Sequence, residues 1–172
     1  MQAQEKFAKA YDEHADAIFR HCYLRVYDRE LAKDIMQETF MKAWNHYGEM
    51  EGEKIENLKS LLYKIATNLI IDHSRRPSSK KTDSLEDMVE AGFEPGEDHS
   101  EKHKDELDAK EALKKLDYIK EDYREVLMLR YFNDLSLKQT AEVLGISENL
   151  VSVRHNRALQ ELRKHFRTYE RN

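Results

Sequence analysis

The stretch from Leu135 to Leu162 constrains the fold more than any other part of the chain. Ser136 is a good N-cap for a short helix, because its hydroxyl oxygen can accept a hydrogen bond from an unpaired amide of the first turn. Gly145 can end that helix in a left-handed backbone conformation, which costs other residues more. Ser147 can then cap a second helix. Two short helices joined in this way form a helix-turn-helix, or else an ordinary helical hairpin.

The second helix of this stretch has an apolar side and a basic side. Its inward positions recur at helical spacing: Val151, Ala158, Leu159 and Leu162. Residues 152–168 contain five Lys and Arg against one Glu, a net charge of +4. A basic helix presented after a glycine turn is the usual way to place a helix in the major groove of DNA. We therefore interpret the stretch as a DNA-binding motif, with a hairpin that has no nucleic-acid role as the alternative.

The composition predicts an all-α protein without a membrane span. The chain has 172 residues, of which two are Pro and five are Gly, and 37% are charged. Its longest apolar run falls well short of the roughly 20 residues that a membrane span needs. The N-terminus lacks an apolar signal core and Cys22 is the single cysteine, so we expect a cytoplasmic protein with no internal disulfide. No catalytic triad or phosphate-binding glycine loop stands out, so we expect neither an enzyme nor a cofactor or metal.

Charge is distributed unevenly, with one acidic stretch between two basic ones. Residues 83–108 contain eleven acidic residues and two lysines, whereas residues 59–81 contain six basic residues and one aspartate. The net charge of the whole chain, −5, therefore arises from its middle part. Two separate basic segments favour two surfaces that face a polyanion, although a single charged run is commonly just a solvated helix face.

Three amphipathic helices are predicted before the acidic stretch. The first covers roughly residues 4–26, the second residues 28–44 with its first aspartate as the cap, and the third residues 58–76, ending in two arginines. A polar loop, residues 48–57, separates the second helix from the third. We place Tyr63 near the polar side of the third helix, where an aromatic ring among basic residues suits single-stranded nucleic acid.

An acidic linker is predicted to join two small helical domains. We expect little regular structure in residues 78–104, which are rich in acidic residues, Ser, Pro and Gly. The first domain is then residues 1–77 and the second is residues 105–172. In the second domain a helix is predicted over residues 121–131, before the helix-turn-helix. Arg130 falls on the apolar stripe of that helix, so we expect its guanidinium to reach past the core edge to water.

Three stretches together resemble the extracytoplasmic-function (ECF) class of bacterial RNA polymerase sigma factors. Asp28–Trp44 (DRELAKDIMQETFMKAW) is similar to that family's core-polymerase-binding helix. Leu61–Arg76 (LLYKIATNLIIDHSRR) is similar to its promoter-melting helix, and Tyr123–His165 is similar to its C-terminal domain. Each motif alone is moderately specific, but their order and spacing together are strongly specific.

The resemblance implies core RNA polymerase and promoter DNA as partners, and many members of the family also bind an anti-sigma factor. It implies that polymerase is contacted by Asp34, Gln37 and Glu38. It implies that the minus-ten element is held and melted by His46, Tyr47, Lys64, Asn68, Asp72, Arg75 and Arg76. It implies that the recognition helix reads the minus-thirty-five element through Ser147, Glu148, Asn149, Ser152 and Arg154. Phosphates would be held by Arg157 and Lys164.

Two residues depart from the family's usual recognition helix. Ser152 stands where lysine is usual, and His155 stands where leucine is usual, so we expect the His155 ring to find a partner or to be partly exposed. Two other interpretations stay open: a homodimeric helix-turn-helix regulator that does not need polymerase, and a helical interaction protein that masks a partner without touching DNA. The basic helix Leu58–Arg76 separates them, because only a sigma factor needs it to grip melted DNA.

Overall fold

The computed structural model describes residues 2–49, 57–76 and 114–169. Within these ranges every regular element is helical, which confirms the predicted all-α class. The chain divides into two compact units, and each is described by itself. The predicted domain boundaries at 77/78 and 104/105 stay predictions, because residues 77–113 lie outside the described ranges.

The first unit is a bundle of three helices: α1 (Gln2–Val26), α2 (Arg29–Glu49) and α3 (Leu58–Ser74). Each helix packs against the other two. The core between them contains side chains with no exposed area, among them Ile18, Cys22, Ile35 and Leu62. The three helices therefore bury apolar side chains against one another, as amphipathic helices do.

Side-chain caps fix where two of these helices begin. The Asp28 carboxylate accepts a hydrogen bond from the Leu31 N–H at 3.0 Å, as predicted for the start of α2. Asn57 caps α3 by accepting from the Ser60 N–H at 3.1 Å. At its other end α2 continues through Gly48, which the sequence assigns to the polar loop. The rest of that predicted loop, residues 50–56, lies outside the described ranges.

Tyr63 belongs to the core, so its predicted place near the polar side of α3 is wrong. Its side chain is 2% exposed, and its ring meets the His21 imidazole edge-on with centroids 5.2 Å apart. His21 is itself buried, and its Nε2 lies 3.3 Å from the Thr67 hydroxyl. The apolar face of α3 is wide enough to include Tyr63, because α3 packs against both α1 and α2.

The second unit contains a short helical segment ending at residue 116, then α4 (Glu121–Leu127), most of α5 (Leu137–Leu144) and α6 (Glu148–Tyr169). Helices α4 and α6 pack against each other. Buried apolar side chains occur in every part of this unit, including Leu116, Val126, Leu129, Leu135, Val151 and Ala158. Of the four inward positions predicted for α6, Val151 and Ala158 are buried, and Leu159 and Leu162 are half-buried.

A π-helical turn, Met128–Phe132, follows α4 where the sequence predicts an uninterrupted α-helix. The Asn133 N–H donates to the Met128 carbonyl at 3.1 Å, across five residues rather than four. In this geometry the Arg130 Nη1 donates to the Leu135 carbonyl at 2.6 Å. The guanidinium thus ties the π-turn to Leu135, the residue before the α5 N-cap, instead of reaching only to water as predicted.

Among the described helices, none combines the length and the apolar content that a membrane span needs. In the same residues, no cluster of three or more His, Cys, Asp or Glu side chains is arranged to hold a metal ion.

Candidate nucleic-acid and polymerase interfaces

The helix-turn-helix is built by three local capping interactions. Ser136 and Gln139 form a reciprocal capping box at the start of α5, with hydrogen bonds of 3.1 Å to the Ser136 Oγ and 2.9 Å to the Gln139 Oε1. Gly145 ends α5 with φ 65° and ψ 33°, and its N–H donates to the Ala141 carbonyl. The Ser147 Oγ then accepts from the Leu150 N–H at 3.1 Å and starts α6. The predicted turn chemistry at Ser136, Gly145 and Ser147 is confirmed.

The predicted DNA-contacting residues at the start of α6 differ in how exposed they are. Ser147, Glu148 and Asn149 are exposed, as is Arg157 further along, whereas Ser152 is half-buried. The Ser152 hydroxyl donates to the Glu148 carbonyl at 3.1 Å, within the helix itself. Sequence reasoning assigned no role to two exposed apolar residues of this helix. These are Leu150 and Val153, each 38% exposed.

Two side chains of α6 are tied to the rest of the second unit. The Arg154 Nη2 lies 3.4 Å from the Asp122 Oδ2 on α4. The His155 Nε2 lies 2.9 Å from the Tyr131 hydroxyl, and the two rings stack with centroids 5.7 Å apart at 22°. The expectation that His155 finds a partner is confirmed. The residues involved are 32 and 24 positions apart in the sequence, so no local pattern reveals either pair.

The predicted melting residues of α3 form one exposed stripe. Lys64, Asn68, Asp72, Arg75 and Arg76 are all exposed. Lys64, Asn68 and Asp72 are spaced four residues apart, which places them on the same side of α3. Arg75 and Arg76 follow directly after Ser74, the last residue of the helix. Three of the five are basic and one is acidic, so the stripe carries a net positive charge.

The two remaining minus-ten residues lie in different environments at the end of α2. His46 is exposed, whereas Tyr47 is only 7% exposed. The Tyr47 ring stacks on Trp44 with centroids 6.2 Å apart and also contacts Phe7 at 5.9 Å. Tyr47 is therefore held in an aromatic cluster between α1 and α2.

The predicted polymerase-binding residues follow one face of α2. Asp34 and Gln37 are exposed, while Glu38 is half-buried and pairs with Lys42 at 3.1 Å. The same face continues to Met41, which is 67% exposed and which sequence reasoning missed. Met41 lies seven residues after Asp34, and residues seven apart share a helix face. This spacing in the sequence is enough to place Met41 beside the predicted polymerase-binding residues.

An apolar groove of about 410 Å³ adjoins the face of α2. Its lining consists mainly of aromatic side chains, together with Gln37 and Met41: Phe7, Tyr11, Phe40 and Trp44. Tyr11, on α1, is 40% exposed at this groove. The exposed face therefore combines carboxylate, amide and apolar groups, a mixture that is typical of a protein interface.

Comparison with known families identifies both units. Residues 10–80 match the family described as Sigma-70 region 2, and residues 112–164 match Sigma-70, region 4. The structure also resembles CnrH, solved in complex with the cytosolic domain of CnrY, with a TM-score of 0.69 at 20% identity over 97% of this chain and 94% of that one. The sigma factor RpoE, solved with the anti-sigma factor NepR from Bartonella quintana, gives a TM-score of 0.68 at 22% identity, covering 95% of this chain and 98% of that one. The fold is thus that of two-unit sigma factors.

Full-length relatives define the class more closely. The ECF RNA polymerase sigma factor SigW of Bacillus subtilis is 31% identical over 174 residues, covering 95% of this chain and 90% of SigW. The RNA polymerase sigma factor SigV of the same organism is 32% identical over 151 residues, covering 88% of this chain and 85% of SigV. The chain belongs to the ECF class of RNA polymerase sigma factors, as the sequence motifs predict.

Proposed function

We propose that this protein binds core RNA polymerase in the cytoplasm and directs it to promoters, without catalysing a reaction of its own. Its family membership gives the general role in transcription initiation. The observation that carries the proposal is the exposed stripe Lys64–Arg76 on α3, in the same chain as a correctly capped helix-turn-helix. A regulator that only binds duplex DNA needs the second feature but not the first.

The face of α2 is the proposed contact with polymerase. Asp34, Gln37 and Glu38 supply carboxylate and amide groups that can pair with basic and polar partner side chains. Met41 and the apolar groove beside it supply the water-excluding part of the interface. Such a combination of a polar rim and an apolar centre suits an amphipathic helical partner surface.

The stripe on α3 is the proposed grip on the melted minus-ten strand. Arg75 and Arg76 lie at the end of α3, where guanidinium groups can hold phosphates. Asn68 can bond to base edges. His46 belongs to the same proposed surface, whereas Tyr47 can reach a base only if it leaves its aromatic cluster. An unstacked base costs a few kcal/mol, which these phosphate and base contacts must offset.

The recognition helix α6 is the proposed reader of the minus-thirty-five duplex. Asn149 is exposed on its first turn, where the amide can reach base edges in the major groove. Arg157 and Lys164 are exposed further along and are suited to phosphates. The proposal includes control by a partner protein, since both similar structures were solved in complex with one and NepR is named an anti-sigma factor.

The test compares promoter opening by polymerase carrying the wild-type protein and an Arg75→Ala/Arg76→Ala variant. Loss of two guanidinium contacts is expected to reduce opening at least tenfold, as measured by permanganate reactivity of unpaired thymines. Lys6→Ala/Lys9→Ala is the control, because it removes the same charge from exposed positions of α1. Equal opening by both variants would contradict the role given to α3. Absence of polymerase binding by the wild-type protein would favour the homodimeric regulator.

A further inference from the structure

We propose that Asp122 competes with promoter DNA for Arg154. In the free protein the Arg154 guanidinium forms an ion pair with Asp122, and in the complex with DNA it binds a phosphate instead. The inference rests on the proposed function of α6 as the recognition helix. It adds a residue outside the helix-turn-helix, Asp122 on α4, that sets the affinity of the protein for DNA.

The geometry places Arg154 at the edge of the exposed face of α6. Leu150, four residues earlier, and Arg157, three residues later, are both exposed, so they share a side of the helix with Arg154. The Arg154 side chain nevertheless retains only 24% of its exposure, because it turns toward α4. Its Nη2 lies 3.4 Å from the Asp122 Oδ2.

The ion pair is weak enough for DNA to break. Asp122 is 46% exposed, and partly solvated ion pairs at a protein surface stabilise little because water and salt screen them. A phosphate offers Arg154 a stronger bidentate contact and lies in a dense array of negative charge.

Exchange does not require the recognition helix to move. His155, the next residue, binds the Tyr131 hydroxyl and stacks on its ring, which holds α6 against the π-turn. The long Arg154 side chain can therefore rotate while the backbone stays in place. Because its guanidinium starts at the α4 side of α6, it reaches the phosphates beside the groove rather than the bases at its centre.

The test measures duplex binding by holoenzyme containing an Asp122→Asn variant, at several salt concentrations. The duplex is a promoter fragment selected with wild-type holoenzyme. Asp117→Asn is the matched control: Asp117 lies in the same unit, pairs with Arg124 at 3.2 Å and loses the same charge. The expected result is about threefold tighter binding by Asp122→Asn than by Asp117→Asn, consistent with release of a weak ion pair. Asp122→Glu should return the affinity to near the wild-type value.

A double substitution shows whether the gain acts through Arg154. Arg154→Ala alone should weaken binding and reduce the slope of log affinity against log salt by about one. In Asp122→Asn/Arg154→Ala the gain should disappear. A gain that persists without Arg154, or an Asp122→Asn variant no tighter than its control, would overturn the inference. Wild-type holoenzyme that selects no duplex would instead refute the proposed function, and the inference with it.

Discussion

Replacing Gly145 by alanine strains the backbone between α5 and α6 and creates no steric clash. Gly145 has φ 65°, and a Cβ added there meets no atom within 4 Å. The left-handed conformation costs a residue with a side chain about 1–2 kcal/mol. Part of this cost, about 0.4–1 kcal/mol, is offset because alanine restricts the unfolded chain. We therefore expect Gly145→Ala to destabilise the helix-turn-helix by about 1 kcal/mol.

Hydrogen exchange is the suitable assay because it reports on each unit separately. The amides of α5 and α6 should exchange about fivefold faster in Gly145→Ala, the factor that about 1 kcal/mol gives. Gly145→Asn should fall between wild type and alanine, because asparagine tolerates the left-handed region better. Gly48→Ala is the control, since Gly48 is helical with open space around it and alanine should stabilise α2. Unchanged exchange in Gly145→Ala would refute the reasoning.

Burial raises the pKa of the Cys22 thiol from 9.0 to about 12. The unfolded chain therefore loses this proton at a lower pH than the folded chain does, so the free energy of unfolding should decline as pH rises from 9 to 12. In Cys22→Ser this part of the decline should be absent when the free energy of unfolding is measured across the same pH range. Tyr131→Phe keeps the ring stack but loses the hydrogen bond to His155, and calorimetry should show a loss of about 0.5–1.5 kcal/mol; an unchanged melting temperature would contradict this. Met41→Ala should leave stability within about 0.5 kcal/mol of wild type while weakening core-polymerase binding about tenfold. Equal binding of the variant and the wild type in a pull-down titration would show that Met41 is not part of the interface.

The features that the sequence predicts correctly depend on short-range chemistry. Asp28, Ser136 and Ser147 cap helices through bonds to amides three residues away, and Gly145 ends α5 through its own backbone freedom. Such interactions depend on a few neighbouring residues, so their spacing can be read directly from the sequence.

The features that the sequence did not predict depend on packing between helices. Tyr63 is buried because α3 has neighbours on two sides, a fact that periodicity along one helix does not contain. The π-turn after Leu127 widens the helix in a segment that contains no Gly or Pro to mark the change. The contacts of Arg154 with Asp122 and of His155 with Tyr131 join residues far apart in the chain.

The residues of the candidate sites also separate into those that local spacing predicts and those that depend on packing between helices. Helical spacing groups the exposed residues Lys64, Asn68 and Asp72 on α3. On α2 it groups the exposed Asp34 and Gln37 with the half-buried Glu38. Spacing alone does not show that Tyr47 packs into an aromatic cluster, that Met41 extends the α2 face, or that Arg154 is already engaged. Burial and long-range partners decide which side chains of a stripe are accessible to a ligand.

The most direct test of the central proposal is transcription in vitro by core polymerase, with and without this protein, on a pool of promoter fragments. The account predicts transcripts that begin at defined positions only when the protein is present, from fragments that share an upstream and a minus-ten element. Initiation that does not depend on the protein, together with no binding to core polymerase, would contradict it.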